Sequence, residues 1–265
     1  MMRAISIMYH DVTEAGEGHT SGFTGPDAAL YKLERERFGE HLRAIASART
    51  DEPARVTEIA EHSEGAPWLL TFDDGGVSAY TCIAEMLEER GWRGHFFVTT
   101  GRIDEPAFLS RGQIVELHRR GHVIGSHSTT HPLRMSHCRP EEMLEEWKTS
   151  VETLSGILGQ QVRVASVPGG FYSREVAETA ARAGVEALFT SEPVTKCRRI
   201  EGCLVLGRYT VQRRTAPERI AALASGHFTP RMRQLLFWNA KKITKSLGGE
   251  YYLKLRKSLL SQERN

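Results

Sequence analysis

Apolar and polar positions along the first two hundred residues fall into short runs separated by longer amphipathic stretches. Residues 4–9 alternate and predict a first strand. Trp68, Leu69 and Leu70 run into Thr71-Phe72-Asp73-Asp74-Gly75, a buried strand that ends on two acids and a glycine. Further strands are expected at 94–100, 122–126, 162–167, 187–190 and 203–206. Between them the spacing of apolar residues predicts helices over 28–47, 77–91, 109–120, 140–158 and 173–183. Ser110 and Ser173 stand at helix starts, Pro140 in a first turn, and Gly91, Gly121 and Gly184 just past helix ends. Strand–helix alternation of this kind predicts an α/β fold built on a parallel sheet covered by helices.

Length and composition narrow the reading. The chain has 265 residues, 40% hydrophobic and 26% charged, which suits one globular barrel-sized domain. A net charge of +2 gives the whole chain no nucleic-acid-binding character. Cys82, Cys138, Cys197 and Cys203 show no Cys-x-x-Cys spacing, and reduced thiols in a reducing compartment are expected. The opening apolar run is too short for a signal peptide and no run spans a membrane, so a cytoplasmic protein is expected. Charge is nonetheless uneven. Residues 231–264 hold nine Lys or Arg against Glu250 and Glu263, interleaved with apolar residues from Leu235 to Leu259. That pattern predicts a helical tail on the barrel with a solvated basic face; its functional alternative is contact with an anionic membrane surface or a polyanionic chain.

The candidate chemistry lies at strand ends. Adjacent Asp73 and Asp74 repel one another and lose hydration there, a costly arrangement for a plain turn. About fifty residues on, Gly125-Ser126-His127-Ser128-Thr129-Thr130-His131-Pro132 places two histidines four apart after another apolar run. One helical turn would aim both at one point. One carboxylate and two imidazoles make a three-ligand site for a divalent metal with positions left open, and the second carboxylate is free to act as a base. His10 and the loop Pro168-Gly169-Gly170 also follow strands. In a closed parallel barrel such positions converge on the C-terminal rim.

These residues resemble the polysaccharide deacetylases, the NodB-homology carbohydrate esterases. Thr71 to Gly75 is similar to that family's first motif, Ser126 to Pro132 to its second, and Val167-Pro168-Gly169-Gly170 sits where the third belongs. Met8-Tyr9-His10-Asp11 and Phe38-x-x-x-Leu42 resemble the exopolysaccharide-associated branch. The resemblance covers residues 4 to 210. It implies a distorted (β/α)7-type barrel with a C-terminal helical extension, drawn as residues 1–228 and 229–265. It further implies one divalent metal ion, most often zinc, on Asp74, His127 and His131, with Asp73 as general base and the Gly169 backbone as oxyanion donor. Two departures stand out. The third-motif arginine that orients the base is replaced by Ser166, with Arg208 a candidate for the missing charge. The late Leu-x-His motif reads Leu204-Val205-Leu206, leaving His10 as the candidate acid.

The implied activity is removal of N-acetyl groups from amino sugars of a bacterial surface polysaccharide. The substrate would be the glycan or a lipid-linked or nucleotide-linked precursor. Peripheral contact with the inner membrane surface through residues 231–265 stands as the alternative to a plainly solvated basic face. A catalytically weak glycan-binding or scaffolding relative, and a hydrolase of another C–N bond, are the alternatives.

Overall fold

The structure is a computed structural model that describes residues 2–61 and 65–239; most of the basic tail, residues 240–265, lies outside the described residues. Parallel strands β1 (Ile5–Tyr9), β2 (Trp68–Phe72), β3 (His95–Val98), β4 (Val123–Ser126), β5 (Val164–Ser166), β6 (Ala187–Phe189), β7 (Cys203–Leu206) and β8 (Tyr209–Thr210) form the body of one curled sheet. The order is β8-β1-β2-β3-β4-β5-β6-β7, with Arg198–Ile200 antiparallel on the outer edge of β7.

The two ends of that order are consecutive in the chain. β7 pairs with β6 through Leu206 and Phe189, and β8 pairs with β1 through Tyr209 and Ile7. Only Gly207 and Arg208 separate them. One interrupted strand therefore closes the sheet covalently, and the ring has seven staves, as a distorted (β/α)7-type barrel requires. Gly207 is needed at the seam, because a Cβ there would stand 2.3 Å from the Glu192 carbonyl oxygen and 2.5 Å from that of Val194.

Side chains alternate across the strands. Trp68, Leu70 and Phe72 of β2 face outward into the layer beneath the helices. Leu69, Phe97, Val164, Phe189, Leu204 and Leu206 fill the inside. The covering helices are α1 (Arg35–Ala48), α2 (Ala84–Glu88), α3 (Arg111–Arg119), α4 (Pro140–Leu158), α5 (Arg174–Arg182) and α6 (Pro217–Ala224). Ser110 and Gln113 form a reciprocal capping box on α3, and the Ser173 hydroxyl accepts from Val176 N–H on α5.

Two expectations change, and the start of the tail can be described. The helix expected over 28–47 begins only at Arg35, because Leu33–Glu34 is drawn into pairing with Val12–Thr13. The expected helix after Asp73-Asp74 opens with a π-helical turn, Ala79–Ile83, before α2. Residues 228–239 are helical and fixed to the barrel. There Arg231 donates to the Tyr209 hydroxyl at 2.9 Å and Gln234 to the Thr210 carbonyl at 2.7 Å.

Candidate active site

The strand register brings the expected residues to one level. Tyr9 pairs with Phe72, so His10 and Asp73 follow side by side. Val98 pairs with Ser126 and Ser126 with Ala165, so His127 stands level with Ser166. Continuing each strand's inward alternation, Asp73 follows Leu69 and Thr71, Ser166 follows Val164, and Arg208 follows Leu204 and Leu206. All three point over the barrel's interior.

Asp74 leaves the strand direction with φ of 76°, and Ser128 and His131 adopt 64° and 59°. Three non-glycine residues in the left-handed region within one site are strained, at about 1–3 kcal/mol each. The segment between the histidines is thus an irregular turn rather than the expected helical one. Glu146 of α4 holds it by accepting from the backbone N–H groups of Thr129 and Thr130, both at 2.9 Å. The Ser128 hydroxyl accepts from His131 N–H at 3.1 Å.

The result is that an Asp74 carboxylate oxygen stands 3.4 Å from His127 Nε2 and 3.5 Å from His131 Nε2. Those separations exceed a good N–H···O hydrogen bond. They match the edge of a tetrahedron with metal–ligand bonds of about 2.1 Å, roughly 3.4 Å. The donor atoms of Asp74, His127 and His131 all lie within 4.8 Å of one another. An oxygen and two imidazole nitrogens are a suitable set for a divalent ion, and these residues fit one. Burial would raise the Asp74 pKa, but the imidazoles of His127, His10 and His131 grouped around it outweigh that and hold it low. Burial, helped by the His127 charge, pushes His131 down to about 4, leaving it neutral for ligation.

Asp73 is held by a different part of the barrel. Arg208 donates from Nη1 to Oδ1 at 2.6 Å and from Nη2 to Oδ2 at 2.8 Å. Arg208 is fully buried, over the rings of Phe97 and Phe189, and its Nε donates to the Thr190 carbonyl at 3.0 Å. Burial raises the Asp73 pKa, but Arg208 and His127 overcome that and keep the acid ionised. Arg208 thus supplies the charge that Ser166 cannot.

Ser166 has a task of its own. Its hydroxyl donates to Asp73 Oδ1 at 3.1 Å and accepts from His127 Nδ1–H at 2.6 Å. That accepted bond fixes the His127 tautomer, with the Nε2 lone pair facing Asp74 and His131. One hydroxyl therefore links the candidate base to a candidate ligand.

His10 lies at the edge of the group, stacked on Tyr31 at 4.7 Å, and its buried Nδ1 has no hydrogen-bond partner. Gly169 has φ of 62°, and a Cβ there would meet the Leu133 carbonyl oxygen at 2.7 Å, so the third-motif loop packs directly on the second. Beneath the site is a buried node absent from the expectations. Asp11 Oδ1 accepts from Ser21 at 2.6 Å and from Ser78 at 2.9 Å, and Lys32 stands 4.0 Å from Oδ2. This node ties the end of β1 to the turn after Asp74 and to the loop that lays Phe23 against His131, 4.8 Å between rings. The adjacent His10-Asp11 pair was the visible signal for it.

Comparison with known proteins agrees with this geometry. Residues 60–188 match the family described as polysaccharide deacetylase. The chain is 30% identical over 125 residues to peptidoglycan-N-acetylmuramic acid deacetylase PdaA of Bacillus subtilis, a match covering 46% of this chain and 45% of PdaA. The matched stretch spans less than half the length of the curated relatives. The fold superposes on Streptococcus pyogenes deacetylase PplD, solved with acetate, at a TM-score of 0.70 and 21% identity, covering 84% of this chain and 98% of PplD. It superposes on IcaB from Ammonifex degensii at 0.68 and 23% identity, covering 85% and 98%. Over residues 60–188 this chain is similar to the polysaccharide deacetylase family, and it shares the fold of the solved deacetylases.

Proposed function

We infer that the protein is a metal-dependent hydrolase that removes N-acetyl groups from amino sugars of a bacterial surface polysaccharide or its precursor. The observation that carries this reading is the convergence of Asp74, His127 and His131 beside an Asp73 clamped by Arg208. The family, and the deacetylase names of PdaA and PplD, support the acyl group expected.

Asp74, His127 and His131 would hold the divalent ion, zinc being the one best suited to this donor set. Bound there, it supplies polarisation of the acetyl carbonyl and a lowered pKa for attacking water. Asp73 takes the proton from that water. Its Oδ1 already accepts from both Arg208 and Ser166, while Oδ2 accepts from Arg208 alone and keeps room for the proton, facing His127 Nε2 at 4.0 Å. Water oxygen bonds to the acetyl carbon as the C–N bond breaks, giving acetate and the free amine. Gly169 N–H donates to the developing oxyanion. His10, at the edge of the group with an unpartnered Nδ1, is the residue we assign to protonate the leaving amine.

The alternative of a catalytically weak glycan-binding relative rested on the missing third-motif arginine and the missing late histidine. Arg208 removes the first of these supports. The test is metal content beside acetate release from acetylated amino sugars. Wild type is expected to hold about one divalent ion and release acetate. Asp73→Asn should keep the metal and lose turnover by about 10²–10⁴-fold. Metal-loaded wild type with no acetate release from any acetylated glycan would leave the binding reading in its place.

A further inference from the structure

Helix 228–239 has two dissimilar faces. One is fixed to the barrel: Arg231 donates to Tyr209 Oη at 2.9 Å, to the Gly226 carbonyl at 3.1 Å and to Thr195 Oγ1 at 3.1 Å, and Gln234 reaches Thr210. The other carries Phe228, Met232 and Leu236, four residues apart and so on one stripe. Phe228 is 71% exposed and Leu236 64%, unusual for side chains of this size grouped on one short helix.

Charge is distributed in step with this stripe. Residues 231–265 carry a net +7 and residues 1–230 a net −5. The net charge of residues 1–230 thus gives the barrel no overall attraction to an anionic surface, and the positive excess of the chain falls in residues 231–265 of the sequence. The helix also has a direction. Thr195, touched by Arg231, pairs with Ala4 at the start of β1, and Thr210, touched by Gln234, pairs with Met8 near its end. The helix thus climbs the seventh stave toward the rim that carries the candidate site.

We propose that this helix face docks the protein on an anionic lipid bilayer and sets the site's rim beside it, the net +7 of residues 231–265 in the sequence favouring an anionic surface. Apolar anchors on one face of a helix with a run of Lys and Arg beside them suit the headgroup boundary, where burial and charge act together. Three side chains fall short of the roughly 800 Å² per partner that a stable protein interface needs, which argues against a second copy of the chain as the occupant. The inference does not rest on the hydrolytic reading.

The test is co-sedimentation of the full chain with phosphatidylcholine vesicles and with vesicles containing about one third phosphatidylglycerol. Pelleting is expected with the anionic vesicles alone, weakened at least tenfold by high salt, by Phe228→Ser with Leu236→Ser, and by Lys241→Glu with Lys242→Glu and Lys245→Glu. Melting temperatures of the variants check that they fold, and the lysine set gives a second reading should the apolar pair not. No pelleting with anionic vesicles, or pelleting of both variant sets equal to that of wild type, overturns the proposal. A concentration-dependent dimer in sedimentation velocity that Phe228→Ser with Leu236→Ser makes monomeric, without lipid binding, assigns the face to a second copy instead.

Discussion

Ser166 and Arg208 divide between them a duty for which the family pattern provides one arginine. Arg208 holds Asp73 by two parallel hydrogen bonds, a geometry that a lysine ammonium cannot reproduce. Arg208→Lys should therefore lower kcat by at least about tenfold, at an unchanged metal content, because a point charge leaves one Asp73 oxygen free to turn. Steady-state kinetics beside metal analysis checks this; full activity would remove the clamp from the mechanism. Arg208→Gln strands a buried carboxylate and should cost about 3–5 kcal/mol in denaturant unfolding. Ser166→Ala acts on the other partner. Without the hydroxyl, His127 Nδ1 keeps only the Ser166 carbonyl at 3.1 Å. Metal affinity, read by competition with a chromogenic chelator, should fall about 10–100-fold, and an unchanged affinity would show that the carbonyl alone orients the ring.

At the scale of elements, the seam between β7 and β8 is the least forgiving place in the barrel. Gly207→Ala would press a methyl group on two backbone carbonyls and displace the next residue, Arg208. It should unfold the protein or abolish activity. Gly156→Ala provides the contrast, since a Cβ there meets nothing within 4 Å on exposed α4. It should stabilise by about 0.5–1 kcal/mol, read as a higher Tm. Equal responses of the two variants would contradict this account of the seam. The barrel strands and most covering helices were legible because apolar runs and caps announce them locally. β8, Arg198–Ile200 and α6 were not, since two- and three-residue strands exist only through their neighbours. The candidate site was half legible. Asp73, Asp74, His127 and His131 are adjacent to strong strands. Ser166 and Arg208 share the inward parity of Val164 and Leu204, but pairing them with Asp73 needs the register of strands far apart in sequence. Glu146 and Lys32 act from helix and loop, where sequence alone gives no direction.

For the molecule as a whole, two histidines away from the site set how stability depends on acidity. His95 donates from Nδ1 to the Leu70 carbonyl at 2.9 Å and accepts from Val56 N–H at 2.9 Å. His122 accepts from Gly94 N–H at 3.1 Å and donates to Glu88 at 2.8 Å. Both rings are held neutral, burial pushing each down to about 4 from 6.5. Between these values the unfolded chain binds protons that the folded one excludes, so stability rises with pH through the window and is fully present above it. Each ring contributes up to about 3 kcal/mol of that slope. Thermal melts from pH 4.5 to 7 should show it, and His122→Gln should flatten it; parallel curves for variant and wild type would exclude His122 as a source. The closing strand carries a consequence for how the protein is made. β1 leaves the ribosome first and β8 nearly two hundred residues later, yet they are neighbours in the finished ring. Until residues 203–210 emerge, Asp73 lacks its Arg208 clamp and β1 has a bare edge. The sheet of the nascent chain thus stays open, and its Asp73 unclamped, until the last stave arrives.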